Sequence, residues 1–283
     1  MRPGIFRSRK PHGVMLAIPA LSLVALLLFL PLIWLAVISF QDPQGALSLD
    51  NYRRVMREPA IVATYLMTFK ISVSVTLICI LLGYPLAYMI ASLPRKWAVP
   101  ALLAVTLPFW TSTLVRTYAW IILLQRRGVV NTWLIDRGLI DQPLALAYSF
   151  TGVVIGMVHI MLPFFVLPLY ATLSSIDSSF MRAAASLGAG PFRAFWTVYF
   201  PLSLPGVLAG TVLVLVLCLG FYVTPALLGG GRVLVIAMAI ERAAAQYASW
   251  GVAAALGITL LAATVLSLGL GWFVTRQGRR TRA

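Results

Sequence analysis

Two windows of the chain, residues 14–40 and 204–228, contain no charged side chain. Each is longer than the roughly 20 apolar residues that a helix needs to cross the hydrocarbon of a bilayer. A water-soluble core of this length would alternate its apolar stretches with polar faces, so these windows argue against a soluble fold. Composition agrees: 61% of the 283 residues are hydrophobic and 10% are charged, against roughly 25% charged in an ordinary soluble domain.

Apolar runs bounded by charge, proline and glycine give six spans, near residues 14–40, 63–93, 99–125, 148–175, 203–229 and 248–275. The expected fold is an all-α, polytopic membrane protein with six transmembrane helices. Pro31, Pro85, Pro108, Pro163, Pro168 and Pro225 lie within the spans, where neighbouring helices can re-satisfy the backbone groups they free. Arg2, Arg7, Arg9 and Lys10 precede the first run in the pattern of a secretory signal. That run is about twice the length of a signal's apolar region, which makes it a retained first helix. Residues 1–62 then hold the N-terminus, first helix and an outer loop, residues 63–275 five further helices, and residues 276–283 a basic tail.

The net charge of +15 raises nucleic acid as a partner, because clustered Lys and Arg are the footprint of a phosphate binder. The cations sit at span ends instead, where they set topology and meet anionic lipid headgroups. Membrane lipid is the expected contact, and nucleic acid is not. Residues 1–13, 94–98, 176–202 and 276–283 together carry twelve cations and one acid, Asp177, whereas the opposite flanks carry eight cations and six acids. The positive-inside rule therefore predicts both termini in the cytoplasm.

One inner segment, residues 176–202, is too long for a simple turn and too polar to insert. Residues 181–187 are Ala-rich and predict a helix. Gly188, Gly190 and Pro191 break it, and residues 192–200 predict a second short helical turn before Pro201, forming an elbow. A helix of small residues can seat deeply in a groove on a soluble partner, and a following glycine permits a sharp turn. Phe192, Phe195 and Trp196 also suit a loop lying on lipid.

The stretch Arg182-Ala183-Ala184-Ala185-Ser186-Leu187-Gly188, with Val198-Tyr199-Phe200-Pro201 following at fixed spacing, resembles the EAA loop of ABC importer permeases. Ala183, Ala184, Gly188, Val198 and Pro201 match that pattern, while Arg182 stands where the family has an acid and Phe200 where it has an aliphatic residue. The resemblance runs from the second span to the sixth and is most like the spermidine/putrescine type. Leu107-Pro108-Phe109-Trp110, Leu114 to Trp120, Leu162-Pro163-Phe164 and Thr224-Pro225-Ala226-Leu227-Leu228-Gly229-Gly230 carry it.

The resemblance implies a type I permease whose elbow couples to an ATPase. Its implied partners are a second permease subunit in a heterodimer, two ATPase subunits and a periplasmic solute-binding protein. It implies a small, polyamine-like organic solute. It also implies that ATP and Mg sit on the ATPase subunits and that this chain binds no cofactor. The sequence is compatible with that division, since it has no G-x-x-x-x-G-K-[ST] run to cradle nucleotide phosphates. His12 and His159 share no metal-ligand spacing, and Cys79 and Cys218 lie in apolar spans as small hydrophobes. No catalytic or metal site is expected, and the chain is read as a transport subunit rather than an enzyme.

Candidate pathway residues lie on the third span, where Phe109, Ser112, Thr113, Arg116 and Trp120 share one face by helical spacing. An arginine at the centre of a span costs about 2.5–3.5 kcal/mol on insertion scales and by default faces an interior or a cavity. Arg116 is therefore the leading candidate, with snorkelling to the outer interface as the alternative. Lys70 is read as snorkelling. Phe221 and Tyr222, before Thr224 and Pro225, suit a gate at a helix break or ordinary packing. The spans hold two cations and no carboxylate, which is an unexpected lining for a polycation. A non-polyamine importer and an ion-coupled secondary transporter remain as alternative functions.

Overall fold

The computed structural model describes residues 12–42 and 44–280, with side chains described for 18–42 and 44–269. The tail cations at residues 1–11 and 281–283 lie outside the described residues. The described chain is helical, with one isolated β-bridge between Gln41 and Leu47.

In chain order the helices are α1 (His12–Ser39), α2 (Asp50–Arg57), α3 (Pro59–Ser92), α4 (Arg95–Thr106), α5 (Thr113–Leu124), α6 (Val129–Asp136) and α7 (Phe150–Leu173). They continue as α8 (Ser178–Ser186), α9 (Pro191–Ala194), α10 (Phe200–Leu219), α11 (Val223–Leu228), α12 (Ile236–Glu241) and α13 (Trp250–Arg280). Among the described residues, five helical stretches are long and apolar enough to cross a membrane, and a bent pair built on α4 and α5 makes a sixth if counted as one span.

The core is a three-helix packing of α3, α7 and α10. Its centre is Phe165 of α7, fully buried with Val75, Cys79, Met157, Met161 and Val214. Small residues make the close approach possible. A Cβ on Gly83 of α3 would lie 2.5 Å from the Phe165 ring, and one on Gly210 of α10 would lie 2.9 Å from the Phe165 carbonyl oxygen. One turn away, a Cβ on Gly206 would meet Thr172 at 2.6 Å. The Gly206-x-x-x-Gly210 pair thus lets α10 lie directly on α7, the packing that such pairs serve in lipid.

A smaller apolar cluster joins α2, α12 and α13 through Val55, Ile236, Val252 and Leu256. Hydrogen bonds reinforce it: the Tyr65 hydroxyl pairs with Thr259 and the Leu256 carbonyl, and Asn51 donates to the carbonyls of Ser39 and Gln41. By contrast α1, which packs on α13, leaves Leu21, Leu23, Leu27 and Leu30 more than half exposed. A helix that is apolar all round suits lipid or another membrane subunit, not water.

Two spans differ from the sequence reading. The third is not one straight helix: α4 passes through a 3₁₀ turn (Leu107–Trp110) and reaches α5 across a 95° bend. Pro108 and the extended Thr111 and Ser112 (ψ 143° and 133°) make that bend. The fifth begins earlier, because helix runs unbroken from Pro191 to Leu219. It also ends earlier, at Gly220. Residues 220–247, read as the end of that span and an outer flank, fold back on the bundle. Val233, Val235 and Ile236 are buried there, and the Ile236 amide donates to Thr68 Oγ1 at 2.9 Å.

Candidate functional site: the elbow and the bent span

The elbow is built from its ends inward. Asp177 caps α8 by accepting a hydrogen bond from the Ser179 amide at 2.7 Å. That backbone hydrogen bond holds the Asp177 carboxyl below its usual range, with Arg182 adding a smaller push in the same direction. At the other end Gly188 takes φ +81°. Its amide bonds to Ala185, and the amide of Ala189 reaches back to Ala184 at 3.0 Å. Those two bonds form the Schellman motif that ends helices at a left-handed residue.

The matched residues divide between two surfaces. Arg182, Ala183 and Gly188 are exposed, with Arg182 Nη1 donating to Ser178 Oγ at 2.6 Å. Ala184 is buried within this chain, on the side where α8 packs on α9 and the turn after it. It therefore does not share the exposed face of Ala183. Leu187 is 88% exposed and Phe192 78%, so the outward face is strongly apolar. Val198 and Pro201 are half-buried in the helix beyond.

Between α9 and α10, residues Phe195–Tyr199 form a π-turn, with the Phe200 amide bonded to the Phe195 carbonyl. Pro201 has no amide hydrogen to continue the ordinary ladder, and a widened turn just before it absorbs the mismatch. The turn meets α3 through aromatic rings. Tyr88 stands edge-on to Phe195 at 5.8 Å and to Tyr199 at 5.3 Å, and the Tyr84 hydroxyl pairs with Ser203 Oγ at 3.0 Å. The elbow is thus tied to two of the three core helices.

The pathway candidates on the third span do not share one helical face, because the bend separates them. Phe109 lies before it in the 3₁₀ turn, Ser112 stands at the residue preceding α5, and Thr113, Arg116 and Trp120 lie on α5. What gathers them is α7. Phe109 packs edge-on to Phe164 at 4.7 Å, and Trp120 Nε1 donates to His159 Nδ1 at 3.1 Å.

Arg116 is buried and turns back on the bend. Its Nη2 donates to the Thr111 carbonyl at 2.7 Å and its Nε to Thr111 Oγ1 at 3.2 Å. Lys70, exposed on α3, sits 4.9 Å from the Phe150 ring centroid. Phe221 and Tyr222 occupy the break between α10 and α11, with Phe221 packed against the core and Tyr222 40% exposed.

Sequence reasoning did not single out two buried polar side chains, Asn131 of α6 and Thr224 of α11. Asn131 is fully buried and donates to the carbonyls of Gln125 and Leu144 while accepting from the Leu144 amide. Its only signal was an amide within the apolar run Val129 to Leu134. Thr224 is fully buried, and its hydroxyl has no partner among the described residues.

Residues 81–282 match the family model described as binding-protein-dependent transport system inner membrane component. The chain is 34% identical over 259 residues to the spermidine/putrescine transport system permease protein PotB of Escherichia coli K12, covering 89% of this chain and 94% of that one. It is 33% identical over 245 residues to the protein of the same name from Haemophilus influenzae, covering 84% and 85%. In fold it is similar to a bacterial alginate ABC transporter chain crystallised in complex with an alginate pentasaccharide-bound periplasmic protein. That TM-score is 0.72 at 19% identity, covering 98% of both chains.

Proposed function

Because the chain belongs to the binding-protein-dependent transport system inner membrane component family, we propose how its parts divide the work of an ATP-driven importer. The chain is a multi-pass inner membrane permease similar to spermidine/putrescine permeases. In the proposed assembly it pairs with a second permease, and the two share the path for the solute. Two ATPase subunits on the cytoplasmic side bind ATP and Mg, a periplasmic protein delivers the solute, and this chain binds no cofactor. Both termini are cytoplasmic, and residues 63–275 form the permease unit.

The observation that carries this reading is the elbow. A short capped helix with an exposed apolar face turns at Gly188 into a helix that runs unbroken for 29 residues. Force applied to α8 by a soluble subunit would move α10 as a rigid lever and, through Tyr84 and Tyr88, move α3 with it. Rigid-body shifts of this kind link distant sites in switching proteins. The contact surface we assign is Arg182, Ala183, Leu187 and Gly188, with Ala184, Val198 and Pro201 supporting it from inside.

The solute we assign is polyamine-like, on the strength of the relatives' similarity across most of the chain. Acids from the second permease would then balance a path to which this chain brings Arg116 and no carboxylate. The test is cysteine cross-linking from Ala183→Cys and Leu187→Cys to the ATPase that copurifies, with the solute in the binding protein identified by mass spectrometry. Cross-links at both positions and a bound polyamine are expected. No ATPase in the purified complex would contradict the assignment of the elbow, and a bound anion would contradict that of the solute.

A further inference from the structure

Helix α5, the second half of the bent third span, presents two unlike faces. Leu114, Val115, Tyr118 and Ile122 are more than half exposed, whereas Arg116, Thr117, Trp120 and Ile121 are turned inward. Trp120 packs at the edge of the core, and its Nε1 donates to Nδ1 of His159 on α7, with the two rings edge-on at 5.7 Å. Among the described residues, three hydrogen bonds join a side chain of one span to a side chain of another: Tyr65 with Thr259, Tyr84 with Ser203, and Trp120 with His159. The last is the one that reaches the bent span.

The chemistry of the two rings fixes how they pair. An indole N–H only donates, so Nδ1 of the imidazole accepts and the neutral ring carries its proton on Nε2. The helix beneath His159 is firmly seated: its neighbours Val158 and Ile160 are buried, and Cys79 Sγ of α3 lies 4.0 Å from the Val158 carbonyl oxygen. Along α5, Arg116 stands one turn before Trp120 on the same inward face, and its guanidinium grips the Thr111 carbonyl and hydroxyl across the bend. Before the bend, Phe109 meets Phe164, which lies beyond His159 on α7. One core helix therefore holds the span on both sides of its 95° break, by a ring contact on one side and a directional hydrogen bond on the other.

We propose that His159 is a positioning residue for transport: through Trp120 it holds α5, and with it the bend that Arg116 grips, at the angle from which the span moves. The proposal rests on the importer reading above, which makes the bent span part of the moving bundle. Packed elements switch between discrete sets of contacts rather than deforming continuously, so a hydrogen bond between α5 and a core helix sets one of those arrangements. Because a separate protein delivers the solute in that reading, the pair acts on turnover and not on affinity. The acceptor also has a definite place. Asparagine sets its side-chain oxygen near the position of Nδ1, glutamine sets its own nearer that of Nε2, and leucine has none.

The test uses the complete importer in proteoliposomes with the binding protein that copurifies with it, loaded with the solute that it holds. Wild type is compared with His159→Asn, His159→Gln, His159→Leu, Trp120→Phe and the double variant His159→Leu/Trp120→Phe. ATP-driven uptake is measured against the concentration of loaded binding protein, and amide exchange in α5 is followed in the same preparations. His159→Leu and Trp120→Phe should each lower maximal uptake about threefold, the average coupling of a side-chain hydrogen bond between membrane helices, with half-saturation unchanged and exchange in α5 quickened. His159→Asn should restore both readouts and His159→Gln neither. The double variant should be no worse than either single one, because both remove the same bond. Losses that add in the double variant would overturn the proposal, as would wild-type turnover in His159→Leu or equal impairment by asparagine and leucine. A loss that appears as raised half-saturation would also overturn it, since it would assign His159 to solute or binding-protein affinity. Wild-type uptake that needs neither ATP nor the binding protein would instead overturn the importer reading, and the exchange comparison would still decide whether His159 holds α5.

Discussion

Gly188 and Arg116 both act where a helix stops, and substitutions at each separate backbone conformation from packing. At Gly188 a Cβ would meet nothing within 4 Å, so any penalty comes from φ +81° alone. A non-glycine residue there costs about 1–2 kcal/mol, less for asparagine, which tolerates the left-handed region. Gly188→Val should therefore impair transport more than Gly188→Asn at equal expression, and equal uptake by the two would remove the backbone argument. Arg116 holds the Thr111 carbonyl and hydroxyl at the bend. Arg116→Lys keeps the charge and loses the fork, so uptake should fall several-fold on a loss of about 1 kcal/mol of hydrogen bonding. Wild-type uptake in that variant would show that the guanidinium does not pin the bend. Asp177 gives a pH test. Its folded carboxyl sits below the usual 3.8 because the Ser179 amide bonds to it. The cap therefore contributes fully above the unfolded value and is lost as pH falls through the folded one. Amide exchange in α8 should quicken on acidification below the ordinary carboxylate range in wild type, and be indifferent to that range in Asp177→Ala.

Among the elements, what could be read from sequence followed from length and continuity. The spans now seen as α3 and α7 were legible because each is a long apolar run with ends marked by Pro94 and Ser149. The Gly188 turn was legible because a small-residue helix followed by glycine has few other outcomes. The 95° bend was not, because an intramembrane proline more often kinks a helix than ends it. The polar run Thr111-Ser112-Thr113 that carries the break also fits helix spacing. The start of the fifth span was hidden by Phe192, Phe195 and Trp196, which also suit a loop lying on lipid, whereas Phe195 packs in the π-turn against Tyr84 and Tyr88. The end of the fifth span at Gly220 was hidden because the apolar content of residues 221–229 continues that of the span before them. Tyr148, with its left-handed backbone at φ 55°, and the buried Asn131 had no sequence signal strong enough to act on. Close packing at Gly210 gives an element-scale prediction. With the Phe165 backbone 2.9 Å from a Cβ there, Gly210→Val should overpack the α7–α10 contact by about 1–3 kcal/mol. Thermal unfolding in detergent should show a lowered midpoint, and an unchanged midpoint would mean that α10 does not lie on α7 as described.

At the scale of the whole molecule, the elbow after α7 and the turn before it lie at opposite ends of one bundle. The account assigns those ends to opposite sides of the membrane. Cysteines introduced at Ser8, which lies outside the described residues, and at Asp136 in a cysteine-free background should label from the cytoplasmic and outer sides respectively. Labelling of both from one side would refute the orientation. The helices between those ends offer a continuous mechanical route, from α8 through the π-turn into α10 and α3, and from α7 to the bent third span through Phe164 and His159. The central claim is that the elbow couples ATP hydrolysis on a separate subunit to movement of this bundle. The direct measurement is ATP-driven uptake dependent on the binding protein in proteoliposomes, with ATPase activity recorded in the same vesicles, for wild type and Gly188→Asp. The account predicts that the variant inserts and assembles but loses uptake together with stimulation of the ATPase by the binding protein. Full uptake with unchanged stimulation would contradict it.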